Sequence, residues 1–225
     1  MALFDDRDRR RTALNPPGGA PARPGPADIV LDELIRASPP RLAAYHERVG
    51  LMSEALALRL GLGAHEAWTI GRAGTLHDIG MALLPQDMLD QPRPFSVNEK
   101  EQVHRHSQWG HQLLEMAEGP AYALAAQVAL QHHERWDGSG YPSGLAGEEI
   151  CLAARIIAVC GVYDVLRHPR TGKAPLDHDA ALNVLRHGDA QSRATAFDPE
   201  VVAAFVEYGA ELRRLAEGGY RRQAA

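Results

Sequence analysis

Apolar residues recur every three or four positions along most of the chain from Ile29 onward, and this spacing predicts helices. The segment RLAAYHERVGLMSEALALRLGLG predicts one helix, because its apolar residues fall on one helical face and Gly61 follows as a C-terminal stop. The apolar positions are Leu42, Val49, Met52, Leu56 and Leu60. A second helix is predicted over AHEAWTIGRAGTLHDIG, ending near Gly80.

Capping signals predict where several later helices begin. Ser96 and Glu99 have the spacing of a capping box, which satisfies amide groups at a helix start. Asp177 is a predicted N-cap, and so is Asp198, which is followed by Pro199 in the first turn. Further helices are predicted over SQWGHQLLEMA, AYALAAQVALQHH and CLAARIIAVCGVYDVLRH, and one continuous last helix over DPEVVAAFVEYGAELRRLAE. Since no segment alternates like a strand, the predicted fold class is an all-α bundle.

The first 26 residues differ from the rest of the chain. They mix alternating charges with the run PPGGAPARPGP, which cannot bury enough apolar surface to offset the entropy of ordering. We predict a disordered, solvated tail over 1–26, with a tether or partner-binding arm as the alternative. Residues 27–225 are then one helical domain, because their length suits a single core.

Composition excludes several classes of partner. The chain has 225 residues, with 24 Lys and Arg against 29 Asp and Glu, and this balance does not favour a nucleic-acid polymer. No apolar run approaches the length of about 18 residues needed for a membrane span, and no signal-peptide centre is present. Cys151 and Cys160 lie in one apolar run, too far apart on a shared helix for a disulfide. Reduced thiols indicate a cytoplasmic protein.

Some of the 11 histidines lie where bundle helices can converge. His46 lies within a predicted helix, the pair His77 and Asp78 at a helix end, and His106 between two helices. His132 and His133 close another helix. Each position alone has an ordinary structural explanation, but four segments that each deliver imidazole or carboxylate favour a metal site. A carboxylate can bridge two cations, and imidazole nitrogen suits Fe, Mn, Zn or Ni better than Mg or Ca. The remaining histidines, in polar surroundings or at helix ends, are interpreted as surface residues: His65, His104, His111, His168, His178 and His187.

Several motifs between Tyr45 and Phe205 together resemble one known family, the HD-GYP domains of the HD superfamily of metal-dependent phosphohydrolases. They are YHERV, LHDIG, HRHSQWGHQLL, HHERWDGSGYPSGLAGEEICLAARIIAV, VYDVL and FDPEVVAAF. The most specific is HHERWDGSGYP. The resemblance implies an all-α HD-superfamily bundle with a GYP loop, the segment after His133 that contains Gly140, Tyr141 and Pro142. The metal site of such a domain cleaves the bacterial messenger cyclic di-GMP.

The resemblance also implies roles for individual residues. The family's metal ligands fall on His46, His77, Asp78, His106, His132 and His133. They would hold one or two divalent transition metals, Fe or Mn first, with Zn or Ni as alternatives. His77 and Asp78 are the expected catalytic residues, acting through metal-activated water without a protein nucleophile. The expected substrate contacts are Tyr141, Pro142, Arg170 and Lys173, although the two basic residues also fit a solvated loop.

Three positions depart from the family pattern. Met81 replaces the lysine of HDIGK, and Gly161 replaces the first acid of DVYDAL, a metal ligand. Leu42 stands where members with a third metal have glutamate. Asp164, one helical turn after Gly161, could substitute only if the backbone shifted, and Cys160 is a softer candidate that also fits an inert buried thiol.

Two functional hypotheses follow. The first is an HD-GYP-type phosphodiesterase that hydrolyses cyclic di-GMP, or a related nucleotide, with reduced or metal-selective activity. The alternative is a catalytically degenerate HD-GYP domain that acts as a nucleotide receptor or as a scaffold, binding signalling proteins through its GYP loop. A phosphohydrolase for another small phosphoester is a third class. The sequence indicates no oligomeric state.

Overall fold

The structure is a computed structural model. It describes residues 29–31, 33–34, 40–89, 91, 93–169, 173–189 and 193–217. The predicted tail over 1–26 and the candidate residue Arg170 lie outside this set. The described residues form helices and loops without a β-strand, so the all-α prediction is confirmed. Among the described helices none has the length and apolar character needed to cross a membrane.

The helices follow one another with short connections. The α-helices with described bounds are α1 (Pro40–Arg59), α2 (Ala64–Leu76), α3 (Gln86–Leu89), α4 (Val97–His104), α5 (His106–Glu115), α6 (Pro120–Gln131), α7 (Leu152–Arg167), α8 (His178–His187), α9 (Pro199–Glu207) and α10 (Gly209–Ala216). Short 3₁₀ helices span Ile79–Leu83, Gly147–Glu149 and Ala194–Ala196.

The core lies between α1, α2, α6 and α7. Helix α1 packs along α2 and against α7, while α6 packs between α2 and α5. Helix α7 is apolar on most of its circumference, which suits a helix surrounded by others. Met52, Leu56, Ile156, Ile157 and Phe205 are fully buried in this single core. The packing fixes the ends of α2 and α6, where candidate ligands lie.

The predicted caps are present. Ser96 accepts a hydrogen bond from the Glu99 amide, and the Glu99 carboxylate accepts one from the Ser96 amide, which completes the capping box. Asp177 caps α8, and Asp198 caps α9. Gly61 follows α1 with a φ of +88°, the left-handed conformation expected of a helix stop.

Two predicted helix ends are wrong. Helix α2 ends at Leu76, and a 3₁₀ helix continues the chain through Gly80. There the Gly80 backbone lies directly against α5: a Cβ on Gly80 would overlap the His106 carbonyl oxygen and lie 2.6 Å from the Gly110 amide nitrogen. The backbone of Asp78 has φ and ψ of −101° and 14°, which are not α-helical values. A regular helix through this residue could not also bring the Gly80 backbone against α5.

The last predicted helix is in fact two, α9 and α10, separated at Tyr208. The next residue, Gly209, is a weak helix former and packs against the ring of His178, which would lie 3.3 Å from a Cβ at that position. The Tyr208 ring also lies beneath the Arg59 guanidinium, 4.9 Å from its centroid. Packing against α1 and α8 therefore outweighs the continuous helical pattern.

Gly80→Ala tests the close approach between the 3₁₀ helix and α5. The added methyl group must displace backbone atoms, so we expect the free energy of unfolding to fall by about 3 kcal/mol. Gly63→Ala is the matched control. Gly63 is the N-cap of α2, and a Cβ there would have no neighbour within 4 Å. Replacing this cap by alanine costs less than about 1 kcal/mol. Urea denaturation of both variants measures the difference, and equal stabilities would contradict the packing argument.

Candidate metal centre

Four helical segments and a turn bring the candidate ligands together. Helix α1 supplies His46, and the end of α2 supplies His77 and then Asp78. His106 is the first residue of α5, while His132 and His133 follow α6. His46, His77, His106 and His132 are buried, and 15% of the Asp78 side chain is exposed. The cluster therefore lies inside the bundle, with its central carboxylate partly exposed.

The protein backbone fixes the orientation of two of these imidazoles. His106 Nδ1 lies 2.5 Å, and His132 Nδ1 3.0 Å, from a main-chain carbonyl oxygen one turn earlier. The two carbonyl groups belong to Val103 and Ala129. Since a carbonyl oxygen only accepts, each Nδ1 carries the proton, and each Nε2 of the neutral ring presents a lone pair to the cluster. Metal-ligating histidines usually have such a partner on the other nitrogen.

Three acceptor atoms form a small triangle at the centre of the cluster. Asp78 Oδ1 lies 3.1 Å from His106 Nε2 and 3.2 Å from His132 Nε2, and the two nitrogens are 3.2 Å apart. Ligand atoms held about 2.1 Å from one metal ion are separated by about 3.0–3.4 Å. No proton donor lies among these three atoms in this tautomer, so a cation is the group that fits the triangle.

Burial favours the neutral, metal-binding form of two of the candidate ligands, His132 and His133. Burial lowers the pKa of His132 and, together with the neighbouring histidines, lowers the pKa of His133 well below its usual value. Burial alone would raise the pKa of Asp78, but the charge of the adjacent His77 outweighs it, and the pKa lies well below the usual range. Neutral imidazoles around an ionised carboxylate are the forms that bind metal. One ligand atom from each of Asp78, His106, His132 and His133 lies within 4.8 Å of all the others.

The second carboxylate oxygen faces a different pair of histidines. Asp78 Oδ2 lies 3.2 Å from His77 Nε2 and 3.9 Å from His46 Nε2. His77 Nδ1 lies 2.7 Å from the Gly74 carbonyl oxygen. Burial lowers the pKa of His77, but the adjacent carboxylate outweighs it and the pKa is raised. Among the described residues, His46 Nε2 has no hydrogen-bond partner.

The residues considered as replacements for the carboxylate missing at Gly161 have partners elsewhere. Arg48 donates two hydrogen bonds to the Asp164 carboxylate, at 2.7 and 2.9 Å. Cys160 is fully buried, and burial raises the pKa of its thiol to about 12. Asp164 is thus held in an ion pair, and Cys160 remains a core thiol. Cys151 is also a free thiol.

The GYP loop folds back onto the two histidines that precede it. The buried Glu134 carboxylate accepts hydrogen bonds from the Ser143 amide at 2.7 Å and from the Leu145 amide at 3.1 Å. A Cβ on Gly140 would lie 2.6 Å from the His133 carbonyl oxygen, so only glycine allows this approach. The loop is therefore a fixed wall beside the cluster.

Tyr141 lies between two imidazole rings. Its ring centroid is 4.7 Å from that of His133 and 3.9 Å from that of His104, and the planes are nearly parallel in both pairs. Sequence reasoning assigned His104 to the surface. It is exposed, but it covers one face of Tyr141. Its contact joins residues far apart in the chain, so no local pattern could have indicated it.

Tyr45 is a second residue that sequence reasoning did not select. Its hydroxyl oxygen lies 3.2 Å from His77 Nε2, beside the Oδ2 side of Asp78. Tyr45 directly precedes the candidate ligand His46 in α1, where an apolar aromatic residue suits an ordinary core position. Only the packing of α1 against α2 and α7 directs its hydroxyl into the cluster.

Comparison with known proteins identifies the family. A family model described as the HD domain matches residues 29–201, which is more than half of the chain. The chain belongs to the HD domain family. The HD motif itself is His77 and Asp78, the pair at the centre of the cluster.

Curated relatives and a solved structure resemble this HD domain. The cyclic di-GMP phosphodiesterase response regulator RpfG of Xanthomonas campestris is 38% identical over 173 residues, covering 77% of this chain and 45% of that protein. The 3'3'-cGAMP-specific phosphodiesterase 2 of Vibrio cholerae is 31% identical over 182 residues, covering 81% of this chain and 34% of that protein. The solved structure of the HD domain of phosphodiesterase PgpH from L. monocytogenes has a TM-score of 0.58 at 16% identity. The match covers 85% of this chain and 99% of that one. That last likeness concerns the fold alone. The chain spans about a third to a half of the length of these curated relatives.

The remaining predicted site residues are the other expected substrate contacts, Pro142, Lys173 and Arg170. Pro142 is half-buried next to Tyr141 in the loop, and Lys173 is exposed. Arg170 lies outside the described residues. Contact of these residues with a substrate stays a prediction.

Tyr141→Ala tests whether the stacked tyrosine supports His133. Removal of the ring leaves His133 without its neighbour, so we expect metal affinity to fall about 10-fold, as is typical when a group that orients a ligand is lost. Tyr141→Phe keeps the ring and should bind metal like the wild type. Calorimetric titration with Mn(II) under anaerobic conditions measures both affinities. Wild-type affinity in Tyr141→Ala would show that His133 is held without the stack.

Proposed function

We propose that this HD domain is a metal-dependent phosphodiesterase that hydrolyses cyclic di-GMP or a related cyclic dinucleotide. The observation that carries the proposal is the triangle of acceptor atoms on Asp78, His106 and His132, whose edges of 3.1 to 3.2 Å fit one metal ion. Curated relatives named as phosphodiesterases of cyclic di-GMP and of 3'3'-cGAMP support the substrate class.

The donor set supports a divalent transition metal. Three imidazole nitrogens and one carboxylate oxygen suit Fe or Mn, with Zn or Ni as alternatives, better than Mg or Ca. A bound ion of this kind supplies a water of lowered pKa at neutral pH and stabilises negative charge on phosphate oxygens. Asp78, His106, His132 and His133 would hold it.

The residues around the ion have separate roles. Asp78 joins both halves of the cluster, and its partly exposed side chain marks where a phosphodiester can approach. We assign His77, with Asp78, to the catalytic pair because it contacts the second carboxylate oxygen. Tyr141 and Pro142 form the wall on which the dinucleotide rests. Since His104 covers one face of Tyr141, a base must displace His104 to stack there or contact the tyrosine at its edge.

Basic residues and location complete the proposal. Lys173 and Arg170 are assigned to the phosphate groups of the dinucleotide, which carry negative charge.

The two free cysteines support a cytoplasmic location, where thiols stay reduced. The net charge of −5 does not favour a nucleic-acid polymer as substrate.

A second candidate function is a receptor or scaffold without hydrolysis. Gly161 provides no carboxylate, and Met81 in the 3₁₀ helix provides no cation for a phosphate group. Loss of one group that stabilises a transition state commonly costs about 10²–10³ in rate. A domain with both losses could still bind a dinucleotide or present its GYP loop to signalling proteins.

Asp78→Asn distinguishes these functions when it is compared with the wild type. The wild-type protein, purified anaerobically with Mn(II) or Fe(II), should hydrolyse cyclic di-GMP, and Asp78→Asn should lower the rate by about 10²-fold or more because the ion loses its anionic ligand. Asp87→Asn, an exposed acid on α3, is the matched control and should keep wild-type activity.

Chromatographic detection of linear product measures the rate, and elemental analysis measures bound metal in the same samples. Nucleotide binding without turnover in the metal-loaded wild type would favour the receptor, and neither binding nor turnover would favour the scaffold. Equal turnover in Asp78→Asn and the wild type would refute the metal centre.

A further inference from the structure

The cluster has two sides, one at each oxygen of the Asp78 carboxylate. Beside Oδ2 lies the phenol group of Tyr45, whereas the residues beside Oδ1 are all candidate ligands. The Tyr45 hydroxyl lies 3.2 Å from His77 Nε2, and Asp78 Oδ2 lies at the same distance from that nitrogen. If His77 is neutral, its Nδ1 proton is directed to the Gly74 carbonyl, and Nε2 accepts the phenol proton. If His77 is protonated, Nε2 donates to Asp78. In both states Nε2 has a partner within the protein.

The same hydroxyl occupies the space beside Gly161. A Cβ on residue 161 would lie 3.1 Å from the Tyr45 hydroxyl oxygen, which is closer than a comfortable van der Waals contact. A longer side chain at this position would meet the phenol before it reached the cluster. Tyr45 on α1 and Gly161 on α7 therefore fit each other, and the phenol lies on the path that a carboxylate from α7 would take.

We propose that this HD domain binds a single metal ion, on the Oδ1 side of Asp78, and that the Tyr45 hydroxyl replaces a second ion on the Oδ2 side. This inference rests on the proposed metal centre. The Oδ1 side has four donors, from Asp78, His106, His132 and His133. On the Oδ2 side, the engagement of His77 leaves, among the described residues, only Asp78 Oδ2 and His46 Nε2, 3.9 Å apart. Two donors do not make a stable site for a transition metal, which takes four or more ligands.

The proposal predicts that two changes are needed to create a second site. Gly161→Asp alone supplies a carboxylate but leaves the phenol in its path, so the protein should still hold one ion. Tyr45→Phe removes the hydroxyl, keeps the ring and leaves the first site intact. Tyr45→Phe combined with Gly161→Asp should hold two ions, because His46, His77, Asp78 and the new carboxylate can then act together.

The test counts Mn(II) ions per chain by elemental analysis after anaerobic equilibrium dialysis. Electron paramagnetic resonance gives a second readout, since one isolated ion and two ions bridged by a carboxylate have different spectra. Tyr163→Phe is the matched control, because its hydroxyl contacts His178 at 2.7 Å, outside the cluster. Circular dichroism verifies that each variant is folded. We expect one ion in the wild type, the control and Gly161→Asp, and two coupled ions in the double variant.

Each other result contradicts the inference. Two ions in the wild type, or a second ion in Gly161→Asp alone, would show that the phenol excludes nothing. Loss of the single ion in Tyr45→Phe would make Tyr45 a ligand of that ion, and one ion in the double variant would show that the hydroxyl is not the obstacle. A wild-type protein without any ion would instead refute the proposed metal centre itself.

Discussion

A carboxylate enclosed by imidazole nitrogens is stable only when positive charge lies among them, because every lone pair in such a cluster repels the others. Asp78 is in this situation. Its Oδ1 faces two nitrogens whose protons are directed away to backbone carbonyls, and its Oδ2 faces His77 and His46. The first group fits a metal ion, whereas in the second group the Tyr45 phenol engages His77. The asymmetry between the two carboxylate oxygens is therefore the basis of the proposed single-ion site.

The rest of the bundle serves to keep these atoms within reach of one another. Helix α2 ends at Leu76, so the chain can turn and direct Asp78 towards α5 and α6. The absence of a side chain at Gly80 lets the 3₁₀ helix lie against α5, which fixes the distance from Asp78 to His106. On the other side, the Glu134 carboxylate holds the later part of the GYP loop, at Ser143 and Leu145, against the beginning of the loop. A metal centre made from separate helices needs such rigid connections, because most of its candidate ligands lie far apart in the sequence.

Much of the fold, and which residues form the candidate site, could be predicted from the sequence because both leave local signals. Helical periodicity, the Ser96 capping box and the HHERWDGSGYP motif each lie within one short segment, and the helices and the box are confirmed. The end of α2 and the break at Tyr208 depend on contacts with other helices, so the local pattern predicted them wrongly. The stack of His104 on Tyr141 and the position of the Tyr45 hydroxyl likewise arise only from tertiary packing.

Anomalous diffraction from crystals grown with Mn(II) tests the central claim most directly, since it locates the ion and its ligands together. The account predicts one strong peak within about 2.3 Å of Asp78 Oδ1, His106 Nε2 and His132 Nε2. It also predicts no peak between Asp78 Oδ2 and His77, where the Tyr45 hydroxyl should remain. An ion on the Oδ2 side, or a cluster that binds no ion under these conditions, would contradict the account.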